Sequence, residues 1–235
     1  MKPVAIFRHA LTEGPGYLAE FLDRRKIPWR LIRIDAGDAL PEAAADFSGL
    51  VFMGGPMSVN DDLPWIPPVL ALIRSAVAAD IPVLGHCLGG QLMSKALGGV
   101  VGRNPVKEIG WEELQVAPDV EAKRWFGDIR HFLGFHWHGE TFSIPAGAVP
   151  VLSSAWCRHQ AFVMGPHIGF QCHIEMTAEM VHEWCRIGAD EIAGATESPG
   201  VQQPEDIAYD LSGRVHALNQ VADRVYAAWV QGLAA

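Results

Sequence analysis

Apolar residues in the first half of the chain occur in short runs that alternate with amphipathic stretches. Residues 16–26 and 65–80 repeat apolar side chains every three or four positions, which predicts helices. The other runs are rich in β-branched or aromatic residues and bounded by Gly, Pro or Asp, and they predict strands at 4–7, 29–34, 49–54 and 81–85. Strands that alternate with helices favour an α/β fold, so we expect a doubly wound, flavodoxin-like, mostly parallel sheet with helices on both faces.

The second half of the chain changes from this alternation to a succession of strand-like runs. They predict strands at 108–116, 131–140, 149–154, 161–165 and 168–176, which we expect to extend the same sheet. A helix covering the sheet is predicted by the helical spacing of Leu211, Val215, Leu218, Val221, Val225 and Trp229. Residues 194–206 contain few large apolar groups and predict an exposed loop. We expect one domain over 1–235, with a C-terminal helical segment at about 177–235.

The turn GHCLGGQ (85–91) places Cys87 directly after the predicted strand 81–85. The residues that follow predict a helix ended by Gly98 and Gly99, so the thiol would lie at a helix N-terminus. The positive end of a helix dipole favours the reactive thiolate form of cysteine. The flanking glycines permit a sharp strand-to-helix turn, which is similar to a nucleophile elbow.

A cysteine nucleophile needs a base and a group that orients the base, and QCHIE (171–175) supplies His173 and Glu175. Side chains alternate along a strand, so a strand here would place Gln171, His173 and Glu175 on one face. Cys172 and Ile174 would then lie on the opposite face.

Five sequence pieces together resemble the class I (triad) glutamine amidotransferases, in particular stand-alone domains related to the amidotransferase half of GMP synthase. They span about residues 50 to 176 in the family's order. The pieces are GGP (54–56), GHCLGGQ (85–91), EIGW (108–111), HWHGE around His138, and GFQCHIE (169–175).

This resemblance implies hydrolysis of the side-chain amide of L-glutamine to glutamate and ammonia through a cysteine thioester. It implies Cys87 as nucleophile, His173 as general acid and base, and Glu175 as the orienting carboxylate. It further implies an oxyanion hole formed by the backbone N–H groups of Gly55 and Leu88, and glutamine contacts from Gln91 and from the backbone near His138, with Trp137 in the pocket lining.

The sequence departs from the family's usual pattern at three positions. The family often has an apolar residue at the position of His86, an aromatic residue such as phenylalanine at Cys172, and proline at Ile174. We expect Cys172 and Ile174 to affect packing, because they point away from the predicted catalytic face. His86 adjoins the nucleophile, and we expect it to contact Cys87 or the approaching substrate.

Composition narrows the remaining function classes. The 18 basic and 27 acidic residues give a formal charge of −9, which disfavours a nucleic-acid surface. No uncharged run approaches the roughly 18 residues of a membrane span, and we expect a cytoplasmic protein.

The four cysteines form no CxxC pair, so we expect reduced thiols. Neither a P-loop nor a GxGxxG motif occurs, so we expect no cofactor and assign any synthase reaction to a separate chain.

A metal site is the alternative use of the histidines and cysteines in the second half. His136 and His138 could share a strand face, as could Cys157 and His159. Neither HExxH nor paired CxxC supports such a site, and we expect none.

Three functions therefore stay open. The chain could be an amidotransferase subunit that supplies ammonia to a separate synthase. It could instead be a self-sufficient hydrolase of γ-glutamyl or other small amides, or a catalytically silent binding protein that retains the fold.

Overall fold

The computed structural model describes residues 1–233 and shows a single large sheet whose first part is parallel. Its parallel strands lie in the order β2-β1-β3-β4-β9. Every residue of β3, β4 and β9 is buried, as expected for parallel strands that are covered on both faces. Their bounds are β1 Val4–Arg8, β2 Trp29–Arg33, β3 Gly49–Phe52, β4 Val83–His86 and β9 His167–Phe170.

Beyond β9 the sheet continues through antiparallel pairs and ends in the short strand β10, which is parallel to β5, and this confirms the predicted extension. The order there is β9-β8-β7-β5-β10, and a further strand, β6, pairs with β5 along most of its length. These strands are β5 Val101–Val116, β6 His131–Phe142, β7 Val149–Ser153, β8 Ala161–Met164 and β10 Gly200–Val201.

Helices cover both faces of the sheet, which confirms the doubly wound α/β architecture. The core beneath α2 and α3 lies on one face, and the core formed with α1, α4, α5 and α8 lies on the other. Within residues 1–233, none of the helices is long and apolar enough to cross a membrane. The helices are α1 Gly16–Arg24, α2 Ile66–Ala78, α3 Leu88–Ala96, α4 Val120–Phe126, α5 Ala178–Ile187, α6 Ala189–Ala193, α7 Pro204–Ala208 and α8 Leu211–Trp229.

Two local predictions were wrong. The predicted strand 168–176 ends at Phe170, because the backbone beyond it bonds to separate segments instead of one neighbouring strand. Gln171 N–H donates to the Gln160 carbonyl at 2.8 Å, and His173 N–H donates to the Phe135 carbonyl at 2.8 Å. The predicted loop 194–206 contains β10 and the start of α7, since two residues of this segment pair with the open edge of β5.

Candidate active site

The turn that carries Cys87 joins β4 to α3 at the carboxyl end of the parallel strands. Cys87 has φ +49° and ψ −107°, a backbone conformation that L-residues seldom adopt and that costs about 1–3 kcal/mol. A Cβ on Gly89 would meet the Phe52 carbonyl, and a Cβ on Gly90 would meet the Phe170 carbonyl. The glycines therefore let α3 pack directly against β3 and β9, and the strained turn presents the thiol at the end of the sheet.

Cys87 opens onto a cavity of about 460 Å³. Its side chain is 8% exposed, and Sγ lies 3.9 Å from the Trp137 carbonyl oxygen. The cavity lies outside the carboxyl ends of β3 and β4, where ligands of open α/β sheets bind. Other lining residues include Gly55, Gln91, His138, Glu13, Trp184 and Glu191.

His173 and Glu175 lie together behind the thiol. The Nδ1 of His173 donates to Oε1 of Glu175 at 2.7 Å, and both side chains are about 1% exposed. Burial opposes a charge on each, yet Glu175 and Cys87 raise the pKa of His173 well above its usual value of 6.5. Burial likewise opposes ionisation of Glu175, but the two histidines beside it, His86 and His173, lower its pKa to about 2. An imidazolium and a carboxylate therefore pair here at neutral pH.

The His173 ring is also held in place by an aromatic contact. The Trp184 ring stands perpendicular to it, with the ring centres 4.8 Å apart. Within residues 1–233, His173 Nε2 makes no hydrogen bond of standard geometry, which leaves it available to the thiol. Such bonds commonly tighten only when substrate binds.

The residues that the family resemblance assigns to substrate binding and to the oxyanion hole lie around the same cavity. An added Cβ on Gly55 would lie 2.8 Å from Leu88 Cδ2, so these two positions are neighbours across the turn. Gln91 and Trp137 line the cavity. The His138 imidazole turns away from it, and Nε2 lies 3.0 Å from a Glu108 oxygen. Any substrate contact at this position comes from atoms other than the ring.

Sequence reasoning missed two polar groups at the site. Gln171 Nε2 donates to Cys87 Sγ at 3.6 Å, and Gln171 Oε1 accepts from Gln91 Nε2 at 3.1 Å. The signal available in the sequence was the placement of Gln171 on the same face of the predicted strand as His173. Glu13 also lines the cavity, and burial raises its pKa to about 7. It lies in the loop between β1 and α1, where no sequence pattern marked it.

His86 occupies a different place from the one expected. Its side chain is fully buried and faces Glu175 from behind, with Nδ1 3.1 Å from Oε2. The prediction of contact with Cys87 or substrate was wrong, because consecutive residues at the end of a strand project to opposite sides. Cys172 and Ile174 are fully buried in the apolar core, away from the cavity, as expected.

A second buried cluster brings together Glu108, His136 and His138, whose ligand atoms lie within 4.8 Å of one another. Gln160 Nε2 stands among them, 2.8 Å from Glu108 Oε2, 3.3 Å from His136 Nδ1 and 3.4 Å from His138 Nε2. The amide thus fills the position that a cation would need. His136 and His138 share one strand face, as the spacing predicted.

The other pair considered as the alternative metal ligands, Cys157 and His159, makes separate contacts within the protein. The Cys157 Sγ lies 3.2 Å from Thr141 Oγ1, while His159 Nδ1 contacts the Phe142 carbonyl oxygen at 2.9 Å. Burial raises the pKa of the Cys157 thiol to about 11, which opposes the thiolate that metals bind.

The doubly wound α/β fold places a strained cysteine turn at a cavity and a buried His–Glu pair beside the cysteine, which is the arrangement that the resemblance to the amidotransferases implies. The family model for "Glutamine amidotransferase class-I" matches residues 18–183. The chain belongs to the class-I glutamine amidotransferase family, which confirms the resemblance seen in the sequence. A solved structure of a glutamine amidotransferase from Methylobacillus flagellatus is 49% identical, with TM-score 0.97 over 100% of this chain and 96% of that one.

Three relatives differ in how much of their length matches. The glutamine amidotransferase-like protein YfeJ of Salmonella typhimurium is 33% identical over 80% of this chain and 81% of its own. Gamma-glutamyl peptidase 3 of Arabidopsis thaliana is 28% identical over 66% of each chain. A GMP synthase (glutamine-hydrolyzing) of Aromatoleum aromaticum is 30% identical over 61% of this chain, but the match covers 30% of that longer protein.

Proposed function

We propose that the protein hydrolyses the side-chain amide of L-glutamine, with Cys87 as nucleophile and His173 and Glu175 as its partners. The observation that carries the proposal is the strained Cys87 turn, which opens onto a cavity beside the 2.7 Å His173–Glu175 pair. A nucleophile, a base and a group that orients the base are the parts that acyl transfer requires.

In the first half of the reaction, His173 already holds the proton as an imidazolium, and Cys87 Sγ attacks the side-chain carbonyl carbon as the thiolate. The carbonyl oxygen becomes an oxyanion, which the backbone N–H groups of Gly55 and Leu88 would stabilise by about 3 kcal/mol each. His173 then gives its proton to the departing nitrogen. Ammonia leaves as the carbon–nitrogen bond breaks, and a thioester remains on Cys87.

In the second half, His173 removes a proton from water as the water oxygen attacks the thioester carbonyl. The carbon–sulfur bond breaks, glutamate leaves, and His173 keeps the proton from water, which restores the imidazolium beside the Cys87 thiolate. Glu175 keeps His173 in one tautomer and stabilises its cationic form in each half, which its lowered pKa of about 2 supports.

A second substrate class is favoured by the outer part of the cavity. A volume of about 460 Å³ falls in the range of about 300–1,000 Å³ that holds drug-sized ligands, which exceeds the needs of glutamine. Its lining includes Trp137, Trp184 and Ile187. These apolar surfaces would accept the amine portion of a γ-glutamyl amide, and a γ-glutamyl peptidase is among the relatives.

We further propose a synthase as the acceptor of the ammonia, since a GMP synthase (glutamine-hydrolyzing) is among the relatives. A cytoplasmic location is supported by the cysteines, because all four are free thiols in the described part of the chain.

Glutamate and ammonia release from L-glutamine tests the proposal, with Cys87→Ala as the matched inactive control. A γ-glutamyl anilide and γ-glutamyl-tryptophan, assayed beside glutamine, decide between the two substrate classes by kcat/KM. We expect turnover that the substitution abolishes.

A glutamine analogue with a diazoketone in place of the amide provides a readout that needs no partner. We expect mass spectrometry to find it bonded to Cys87. Absence of both labelling and turnover would favour the catalytically silent binding protein.

A further inference from the structure

His86 is enclosed by groups that do not belong to the cavity. Its side chain is fully buried, and its ring stacks on Phe170 with centres 5.7 Å apart. The two polar neighbours lie at opposite ring nitrogens: Glu175 Oε2 is 3.1 Å from Nδ1, and the Tyr226 hydroxyl is 3.3 Å from Nε2. Tyr226 is on α8 and is itself fully buried.

These neighbours fix which ring nitrogen carries the proton. Burial lowers the pKa of His86 to about 4, so the ring is neutral near pH 7 and carries one N–H. Burial raises the pKa of Tyr226 well above 10, so its hydroxyl keeps its proton and can donate to Nε2. The N–H of the imidazole is then at Nδ1, which lies 3.1 Å from the carboxylate oxygen.

Glu175 therefore has one histidine for each oxygen. Oε1 accepts from His173 at 2.7 Å, and Oε2 faces His86. Among residues 1–233, neither Oε2 nor His86 Nδ1 makes a hydrogen bond of standard geometry, and the contact between them is their 3.1 Å approach to each other. Without His86, the buried Oε2 would lose this polar contact, and the carboxylate could rotate or take up a proton.

We propose that His86 is a positioning residue: its Nδ1–H holds the second oxygen of Glu175, and Tyr226 maintains the tautomer that permits this. A series of side-chain contacts connects α8 to the base beside Cys87. It runs from Tyr226 through His86 and Glu175 to His173. The inference rests on the proposed function, because it assigns to Glu175 the orientation of that base.

Two substitutions at His86 separate positioning from packing. His86→Phe keeps an aromatic ring against Phe170 but removes the N–H. His86→Asn loses ring volume but retains an amide N–H close to the position of Nδ1. If His86 only fills space, His86→Phe is the milder change. If His86 positions Glu175, His86→Asn is the milder one.

For L-glutamine hydrolysis we expect His86→Phe to lower kcat by about 10- to 100-fold, with KM changed less than about twofold. His86→Asn should retain most of the activity. Tyr226→Phe, which removes only the hydroxyl, should lower kcat by about threefold. The matched control is His167→Phe, another buried histidine, whose Nδ1 accepts from Val83 N–H at 3.2 Å near the start of β4. Its folded form should keep wild-type kcat.

The rate at which iodoacetamide alkylates Cys87, followed on its peptide by mass spectrometry, gives the same ranking without any substrate. It is measured on variants whose thermal unfolding shows that they are folded. Slower alkylation of His86→Phe than of His86→Asn supports the proposal even if glutamine is not hydrolysed. Folded His86→Phe that equals or exceeds His86→Asn in both assays overturns it.

Discussion

Two buried carboxylates in this molecule each lie between two histidines, yet the clusters differ in what they can do. Glu175 contacts His173 and His86, and His173 adjoins the cysteine that opens onto the cavity. Glu108 contacts His138 at 3.0 Å and His136 at 3.9 Å. Both carboxylates are about 1% exposed, so burial alone does not distinguish them.

The two clusters differ in the side chain that lies beside their histidines. Beside Glu175, a thiol faces His173, whose pKa is raised well above 6.5. Beside Glu108, the Gln160 amide fills the space between the side chains, and burial lowers the pKa of His136 to about 3. A buried histidine thus holds a proton ready for transfer in one cluster and stays neutral in the other. Residue types and burial indicate a polar cluster, while the neighbour decides its chemistry.

The largest expected effect comes from replacing one histidine in each cluster by glutamine. We expect His173→Gln to lower kcat/KM for L-glutamine by at least about 1,000-fold, because the proposed general acid and base is lost. His136→Gln should change kcat/KM by less than about tenfold and instead lower the free energy of unfolding by about 1–3 kcal/mol. Steady-state kinetics and urea unfolding of both variants measure the two effects.

Wild-type protein at matched folded fraction is the reference for this pair. Similar losses of activity in the two variants would contradict the separation of the clusters. If His173→Gln is inactive but Cys87 is labelled at the wild-type rate, activation of the thiol would instead be assigned to another group.

The sequence predicted which residues meet at the candidate site better than it predicted their surroundings. Gly-rich spacing and the motif around Cys87 are local, and the structure brings His173 and Glu175 together as their two-residue spacing suggested. The strand assigned to 168–176 failed because its backbone partners come from distant segments. Gln160 and Tyr226 reach their histidines only through tertiary packing, which no spacing along the chain encodes.

A smaller effect is expected in the pH dependence of stability. Burial lowers the pKa of four histidines: to about 3 for His136, and to about 4 for His9, His86 and His167. Below about pH 6.5 the unfolded chain protonates these groups while the folded chain does not, so stability falls as pH falls toward 4. Glu13 has the opposite effect on stability. Its pKa is raised to about 7 in the folded state, so the folded chain binds this proton at a higher pH than the unfolded chain does.

The share of His136 in this dependence can be isolated. His136→Gln removes one of the four groups, so the slope of unfolding free energy against pH between about pH 4.5 and 6 should decrease by about 1.4 kcal/mol per pH unit. Urea unfolding across this interval measures it. An unchanged slope would mean that His136 is protonated in the folded state, which would make the two clusters more alike than their geometry indicates.

The smallest effect is expected from metal removal, which tests whether Gln160 closes the Glu108 cluster. Dialysis against EDTA should change activity and unfolding free energy by less than can be resolved, since the amide nitrogen lies 2.8–3.4 Å from all three candidate ligands. Gln160→Ala would empty that position, and we expect this variant to bind Co²⁺ with visible absorption while the wild-type protein does not. Activity that chelation removes and Zn²⁺ restores in the wild-type protein would contradict this, because the amide would then have to move aside for a cation.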